Sequence, residues 1–293
     1  MKIRFALLLL LLMTCVVSAE SKINYGAFKQ TFEQGCDGGD VRACYNLGVL
    51  YDKGQGVRLD YLTAANLFKI ACDGEYAAGC FNLGVLYNRG AGVKQDYLTA
   101  ANLFKKAFDG GEAPGCYNLG LLYNYGQGVV QDYLTAANLY QQACDEDASD
   151  ACSNLGSLYY TGDGVSQNFI TAANLFKKAC NVGGAEGCFN LAILYDSGEG
   201  VSQDYLKAAN LFKKACNGGI AGGCYNLGVL YNSGKGVSQN YLTAANFFKK
   251  ACDGGEMSGC NKLSALHDRD IDVKEKAKPK KTSKEENDPL NIR

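Results

Sequence analysis

The sequence has very little histidine, no excess of basic residues and only one long apolar run. His267 is the single histidine among 293 residues, so a zinc site built from several histidines is not expected. The 29 lysines and arginines are balanced by 30 aspartates and glutamates, which argues against binding to nucleic acid or to anionic membranes. The run at residues 5–13 is too short to cross a membrane, and no other segment is apolar enough to do so. Three function classes are therefore disfavoured before any motif is considered.

The N-terminus has the pattern of a secretory signal peptide. Lys2 and Arg4 precede the apolar run, which is too short to span a bilayer and is followed by small residues that suit a cleavage site. We therefore predict a signal peptide over residues 1–19, a mature chain that begins near Glu20, and a secreted or periplasmic protein. Cleavage before Cys15, as in a lipoprotein, is the less favoured alternative because the residues before it are a poor lead-in.

A short block with an Asn-Leu-Gly core, or a near match to it, recurs at an unbroken spacing of 36 residues. A period of this length predicts a stacked array of repeats rather than one globular domain. We place the array at residues 20–267, with half-repeats at both ends, and predict a disordered charged tail at 268–293. The seven copies begin at Tyr45, Phe81, Tyr117, Ser153, Phe189, Tyr225 and Asn261.

Each repeat predicts two helices. In residues 41–72, apolar residues surround the first helix, whereas the second helix has one polar face. We expect the first helices inside, lining a concave surface, and the second outside, with lysine pairs such as Lys177-Lys178 solvated and balanced by acids. Gly48, in the middle of the first helix, predicts the close approach of another backbone. Asp60 is the predicted N-cap of the second helix; its equivalents are Asp96, Asp132, Asn168, Asp204 and Asn240.

The 14 cysteines of an exported chain predict disulfides. Once Cys15 leaves with the signal peptide, the candidate pairs stand eight residues apart: Cys36–Cys44, Cys72–Cys80, Cys144–Cys152, Cys180–Cys188, Cys216–Cys224 and Cys252–Cys260. Phe108 takes the place of the first cysteine of the third repeat, so Cys116 is left over. We predict one free thiol per mature chain. Cys116 is either a buried apolar thiol, which we favour, or an intermolecular or reactive one.

One repeat pattern carries a resemblance to a known family. Its residues are Ala43, Leu47-Gly48, Tyr51, Gly54, Gly56-Val57, Asp60, Ala64, Phe68 and Ala71. The pattern recurs over about residues 24–267 and resembles the Sel-1-like repeat, a relative of the tetratricopeptide repeat. With its cysteine pairs, the unit is similar to the Helicobacter cysteine-rich protein (Hcp) family. The resemblance implies an all-α fold, an α/α superhelical solenoid of antiparallel helix pairs with one disulfide per hairpin.

Some members of that family have been linked to penicillin binding and carry a β-lactamase label, so the resemblance also implies an enzyme hypothesis. A serine β-lactamase needs a Ser-x-x-Lys nucleophile and a second lysine motif. No Ser-x-x-Lys occurs in the chain, and Lys281-Thr282-Ser283 only approaches the second motif. We predict no catalytic residues, no metal and no cofactor. Weak β-lactam binding or hydrolysis stays the alternative, on the resemblance alone.

A ladder of asparagines on the first helices is the best candidate for a binding site. An asparagine amide both donates and accepts hydrogen bonds, which suits an extended peptide backbone. Tyr117 and Ser153 are further candidates, the second because it breaks the repeat pattern. A structural role, in which each asparagine bonds a neighbouring repeat's backbone, is the favoured alternative by a small margin. The ladder consists of Asn46, Asn82, Asn118, Asn154, Asn190 and Asn226.

These observations predict a monomeric interaction scaffold that binds a peptide or protein, such as a host or cell-envelope component, on its concave face. A structural envelope protein tethered to peptidoglycan fragments is a third hypothesis.

Overall fold

The computed structural model of the chain describes residues 25–276. Within this range it contains fourteen α-helices and no strand, which confirms the predicted all-α fold of consecutive helix pairs. The helices fall into two compact units that divide between Ala143 and Cys144. Unit one comprises the described residues 25–143, and unit two comprises 144–276. The predicted signal peptide, Cys15 and residues 277–293 lie outside the described residues.

The first helix of each repeat is called helix A and the second helix B. The B helices are α1 (Tyr25–Asp37), α3 (Tyr61–Asp73), α5 (Tyr97–Asp109), α7 (Tyr133–Asp145), α9 (Phe169–Asn181), α11 (Tyr205–Asn217) and α13 (Tyr241–Asp253). The A helices are α2 (Val41–Lys53), α4 (Ala77–Arg89), α6 (Pro114–Tyr125), α8 (Ser149–Thr161), α10 (Ala185–Ser197), α12 (Ala221–Ser233) and α14 (Met257–Lys276). Helix α14 runs past residue 267 over the first nine residues of the predicted tail. No helix among the described residues is both long and apolar enough to span a membrane.

The B helices begin at the predicted caps. Asp60 accepts hydrogen bonds from the backbone N–H groups of Leu62 and Thr63, at 3.0 and 3.1 Å, and from the Thr63 hydroxyl at 2.7 Å. Each equivalent aspartate or asparagine accepts from the N–H three residues later. This bond satisfies one of the donors left open at a helix start. Ala64 and Phe68 are buried on one side of the same helix, so the predicted polar face is present.

The glycine in the middle of helix A faces a ring, not a backbone. A Cβ atom added to Gly48 would lie 2.8 Å from Cε1 of Phe68, on helix B of the same repeat. Gly84, Gly120, Gly156 and Gly228 meet the corresponding ring in the same way. The prediction of a close backbone is therefore wrong: the small residue makes room for the buried aromatic ring that joins the two helices.

Six disulfides join the cysteines in the candidate pairs, with Cα–Cα distances of 4.5 to 4.7 Å. Cys116 is outside these bridges and is buried; its Sγ donates to the carbonyl of Ala113 at 2.9 Å. The connection between α5 and α6 has no disulfide; half-buried Phe108 precedes it, and Pro114 follows it in the first turn of α6. Six disulfides indicate a compartment more oxidising than the cytoplasm.

Candidate functional site

In unit one, the asparagine ladder comprises Asn46, Asn82 and Asn118, all half-buried. Asn82 donates from Nδ2 to the hydroxyl of Tyr45, on the preceding A helix, at 3.3 Å. Asn118 donates to the carbonyl of Pro114, within its own helix, at 2.9 Å. Two of the three amides in this unit are therefore engaged by protein groups.

In unit two, the ladder comprises Asn154, Asn190 and Asn226, which are also half-buried. None of the three amides has a hydrogen-bond partner within residues 25–276. Over the same range, no ladder asparagine bonds the backbone of a neighbouring repeat, which was the structural role we favoured from sequence. Unit two thus presents three donor–acceptor groups that solvent or a ligand can satisfy.

Half-buried aromatic residues precede five of the asparagines, and each packs on the buried ring of its own B helix. The ring centroids are 5.8 to 6.0 Å apart in the pairs Tyr45–Phe68, Phe81–Phe104, Tyr117–Tyr140, Phe189–Phe212 and Tyr225–Phe248. Burial raises the pKa of the Tyr45 hydroxyl, with the Asn82 hydrogen bond opposing that shift. The rings are held by this packing and remain half-buried; Tyr45 also contacts the Tyr76 ring, with 5.0 Å between centroids.

Ser153 is buried, although the sequence predicts a binding contact at this position. It takes the aromatic position in the fourth repeat, but only 3% of its surface is exposed. Its hydroxyl has no partner among the described residues, while its carbonyl accepts from the hydroxyl of Ser157 at 3.1 Å. The short side chain does not extend past its neighbours as an aromatic ring would. Ser153 is therefore not a surface contact, which corrects its inclusion among the binding residues.

Unit two also contains a cavity that sequence reasoning missed. It has a volume of about 230 Å³ and lies between α9 and α11, with residues of α10 also lining it. Three of its residues are lysines: Lys177, Lys207 and Lys214. The sequence does contain one indication of it, because Asn181 stands where the first two complete repeats have aspartate.

No group of three or more histidine, cysteine, aspartate or glutamate side chains within 25–276 is placed to hold a metal ion. The side chain of His267 lies outside the described part of the structure.

Several solved structures are similar to this chain. A protective antigen of uropathogenic Escherichia coli with an SLR fold has a TM-score of 0.75 and 31% identity, covering 81% of this chain and 51% of that one. This chain thus spans about half the length of that protein. A Sel1 repeat protein from Oxalobacter formigenes has a TM-score of 0.71 and 27% identity, with 78% and 96% covered. Cysteine rich protein B of Helicobacter pylori is 33% identical, with 44% and 92% covered and a TM-score of 0.37.

No curated protein matches the chain. The Sel1 repeat model matches six segments that together exceed half of the chain: 41–76, 77–112, 113–147, 149–183, 185–220 and 221–256. With the helix pairs, the caps and the repeat spacing in agreement, the chain belongs to the Sel1 repeat family.

Proposed function

We propose that this Sel1 repeat protein is an exported scaffold that binds an extended peptide segment of a partner protein along its A helices, with unit two as the main binding region. The observation that carries this proposal is the set of three unengaged asparagine amides in unit two. A half-buried amide that has no protein partner gains more from a ligand hydrogen bond than one already satisfied.

The repeat geometry fits an extended ligand. Packed neighbouring helices stand roughly 8–10 Å apart, and an extended peptide rises about 3.3 Å per residue. Successive asparagines would therefore stand about three peptide residues apart, each bonding whichever backbone N–H or C=O faces it. Phe189 and Tyr225 precede two of these asparagines and supply apolar surface for the intervening side chains.

The test is a displayed library of random peptides about nine residues long, which extends beyond the roughly 16–20 Å expected between the first and the third asparagine. Affinities of selected peptides for the full mature chain are then measured by calorimetry. We expect Asn190→Ala to weaken binding about threefold to tenfold, the equivalent of one hydrogen bond. Asn154→Ala and Asn226→Ala should act similarly.

Asn174→Ala and Asn246→Ala are matched controls, because these asparagines also share one repeat position, two repeats apart, but lie on the B helices. They should leave peptide affinity unchanged. A library that yields no binder, or binders that lose as much affinity in the controls as in the ladder variants, would contradict the proposal.

The alternative of β-lactam binding or weak hydrolysis rests on family resemblance alone. Turnover of a chromogenic cephalosporin by the pure mature protein, abolished by one substitution on the A helices, would replace the scaffold proposal with an enzyme.

The proposed export depends on the predicted signal peptide. Intact mass and N-terminal sequencing of protein from the native host should give a chain that begins near Glu20. A lipid-modified Cys15 at the N-terminus would instead establish a membrane-anchored lipoprotein.

A further inference from the structure

The cavity between α9 and α11 combines an apolar floor with a basic rim. Leu191 and Leu211 lie among its lining residues, and Lys177, Lys207 and Lys214 contribute three ammonium groups. None of the described side chains that line it is acidic. The cavity belongs entirely to unit two and shares no residue with the asparagine ladder.

The three lysines are only partly balanced by protein acids. Lys177 and Lys214 form no ion pair within the described residues. Lys207 lies 3.2 Å from a carboxylate oxygen of Asp204 with 61% of its side chain exposed, and its Nζ is 5.2 Å from the centre of the Tyr195 ring. The rim therefore keeps an uncompensated positive charge.

Two departures from the repeat pattern create this charge. Asn181 occupies the position held by Asp73 in the first complete repeat and Asp109 in the second, so Lys177 loses the acid four residues ahead. Lys207 occupies a position that is threonine in the other five complete repeats. The first change removes a negative charge and the second adds a positive one, both at the same cavity.

The equivalent groove in unit one, between α3 and α5, shows the ordinary arrangement. Lys69 pairs with Asp73 at 2.6 Å, and Lys106 donates to the carbonyl of Cys72 at 2.8 Å. Thr99 bonds the capping Asp96 at 2.6 Å. The equivalents of Lys177 and Lys214 are thus engaged by protein groups here, and the third cavity lysine is replaced by a threonine.

The neighbouring groove of unit two, between α11 and α13, carries a larger side chain at the equivalent position. Phe247 replaces the leucine found at Leu211 and stacks on Tyr231, with 5.8 Å between ring centroids and 13° between planes. The ammonium of Lys250 lies 5.6 Å from the Phe247 ring centre. A phenylalanine side chain of the protein itself thus takes the apolar floor of that groove and contacts its lysine.

We propose that the α9–α11 cavity binds a small organic anion whose apolar body contacts Leu191 and Leu211 and whose acidic group lies among Lys177, Lys207 and Lys214. The volume of about 230 Å³ is below the range of roughly 300–1,000 Å³ that is usual for drug-sized ligands, so a body of one or two rings fits. The neighbouring groove supports this class of ligand, since an aromatic ring already occupies the same place there.

The test uses 2-naphthoate as the probe and the full mature chain in low-salt buffer, with binding measured by calorimetry. We expect one saturable site whose affinity falls as ionic strength rises, because the lysines are exposed and their charge is screened. Neutral 2-naphthalenemethanol and inorganic phosphate, which each supply half of the proposed chemistry, should bind more weakly than 2-naphthoate.

Three variants copy residues found elsewhere in the same repeat. Lys207→Thr and Asn181→Asp should each weaken 2-naphthoate binding about threefold, the effect expected of one exposed charge. Leu211→Phe, which copies Phe247, should reduce it at least tenfold by filling the floor. The matched control Leu103→Phe makes the same change in a groove of unit one and should have no effect.

Absence of saturable 2-naphthoate binding would overturn the proposal. So would equal losses in Leu211→Phe and its matched control, or phosphate binding as tight as that of 2-naphthoate. Circular dichroism of each variant distinguishes loss of the site from loss of the fold.

Discussion

Units one and two are built from the same repeat but use its variable positions differently. Unit one has two disulfides and one joint without a bridge, whereas unit two has four disulfides. Two of the three ladder amides in unit one bond to protein groups, but none does so in unit two within the described residues. The lysines Lys69 and Lys105 of unit one have aspartate partners, while Lys177 does not.

The difference separates stability from binding. A repeat needs its helix caps, its buried ring and its small residue to fold, and both units keep all three. Polar positions outside that set can either pair within the protein or stay open to a ligand. Unit two leaves its three ladder amides and Lys177 without a described protein partner, although Lys249 still pairs with Asp253 at 2.8 Å. These open groups stand on the part of the chain that carries more covalent cross-links.

Of the changes that test the difference between the units, removal of one disulfide from unit two should alter stability most. The double variant Cys216→Ala/Cys224→Ala releases a bridge whose Cα atoms are 4.6 Å apart, and a short loop of this kind contributes roughly 2–3 kcal/mol in the chain-entropy account. We expect protection against hydrogen exchange to fall by that amount in α11 and α12. Cys72→Ala/Cys80→Ala is the matched change in unit one. In this variant the protection against hydrogen exchange should fall in α3 and α4 instead.

Adding a disulfide at Cys116 in unit one should have the next largest effect on stability. Phe108→Cys places a cysteine eight residues before Cys116, the separation found in every bridged pair. Loss of the half-buried ring offsets part of the gain, so we expect a net stabilisation of about 1–2 kcal/mol. Thiol titration of denatured, unreduced protein should change from one thiol per mature chain to none. Phe108→Ser is the control that removes the ring without adding a bridge.

The N-cap residues predict that the B helices of the two units differ in stability at low pH. Unit one caps its last three B helices with Asp60, Asp96 and Asp132, and hydrogen bonds from the threonine hydroxyl three residues later lower the pKa of each carboxyl. A lowered folded-state pKa means that this stability is present above the unfolded pKa, about 3.9 for aspartate, and is lost as pH falls through the folded value. Unit two uses Asn168 and Asn240 for two of its caps.

We therefore expect the amides of Thr63 and Thr99 to lose hydrogen-exchange protection below about pH 4, the range in which aspartate protonates, while those of Thr171 and Thr243 keep it. Backbone hydrogen bonding from Lys207 also lowers the pKa of Asp204, so the α11 cap should follow unit one. Asp60→Asn should remove the acid sensitivity of the α3 cap. Equal acid loss at Thr63 and Thr171 would show that the caps do not set the difference.

Most of the fold was predictable because its determinants are local and repeat. The caps and the polar faces depend on residues within one repeat, each disulfide joins cysteines only eight residues apart across a repeat boundary, and the 36-residue register identifies them all. The partner of Gly48 was not predictable, since a small residue marks a close approach but not whether a ring or a backbone makes it.

The site was less predictable because it depends on neighbours in space. The burial of Ser153 depends on how the surrounding side chains close over a short one. The basic cavity needs Asn181 and Lys207 from adjacent repeats to be considered together, although each departure is visible in the sequence alone.

The smallest expected change in stability comes from single ladder asparagines. It tests whether those of unit one have a structural role that those of unit two lack. Asn82→Ala removes the bond to the Tyr45 hydroxyl and should destabilise unit one by about 0.5–1 kcal/mol, the net contribution of a neutral hydrogen bond. Asn190→Ala removes an amide that has no described protein partner and should leave the stability of unit two unchanged. Combining Asn82→Ala with Tyr45→Phe isolates the pair, because the two losses should not add if they report one bond. Equal destabilisation by Asn82→Ala and Asn190→Ala would mean that the unit-two amide also has a structural role, and the ladder would then be a packing feature in both units.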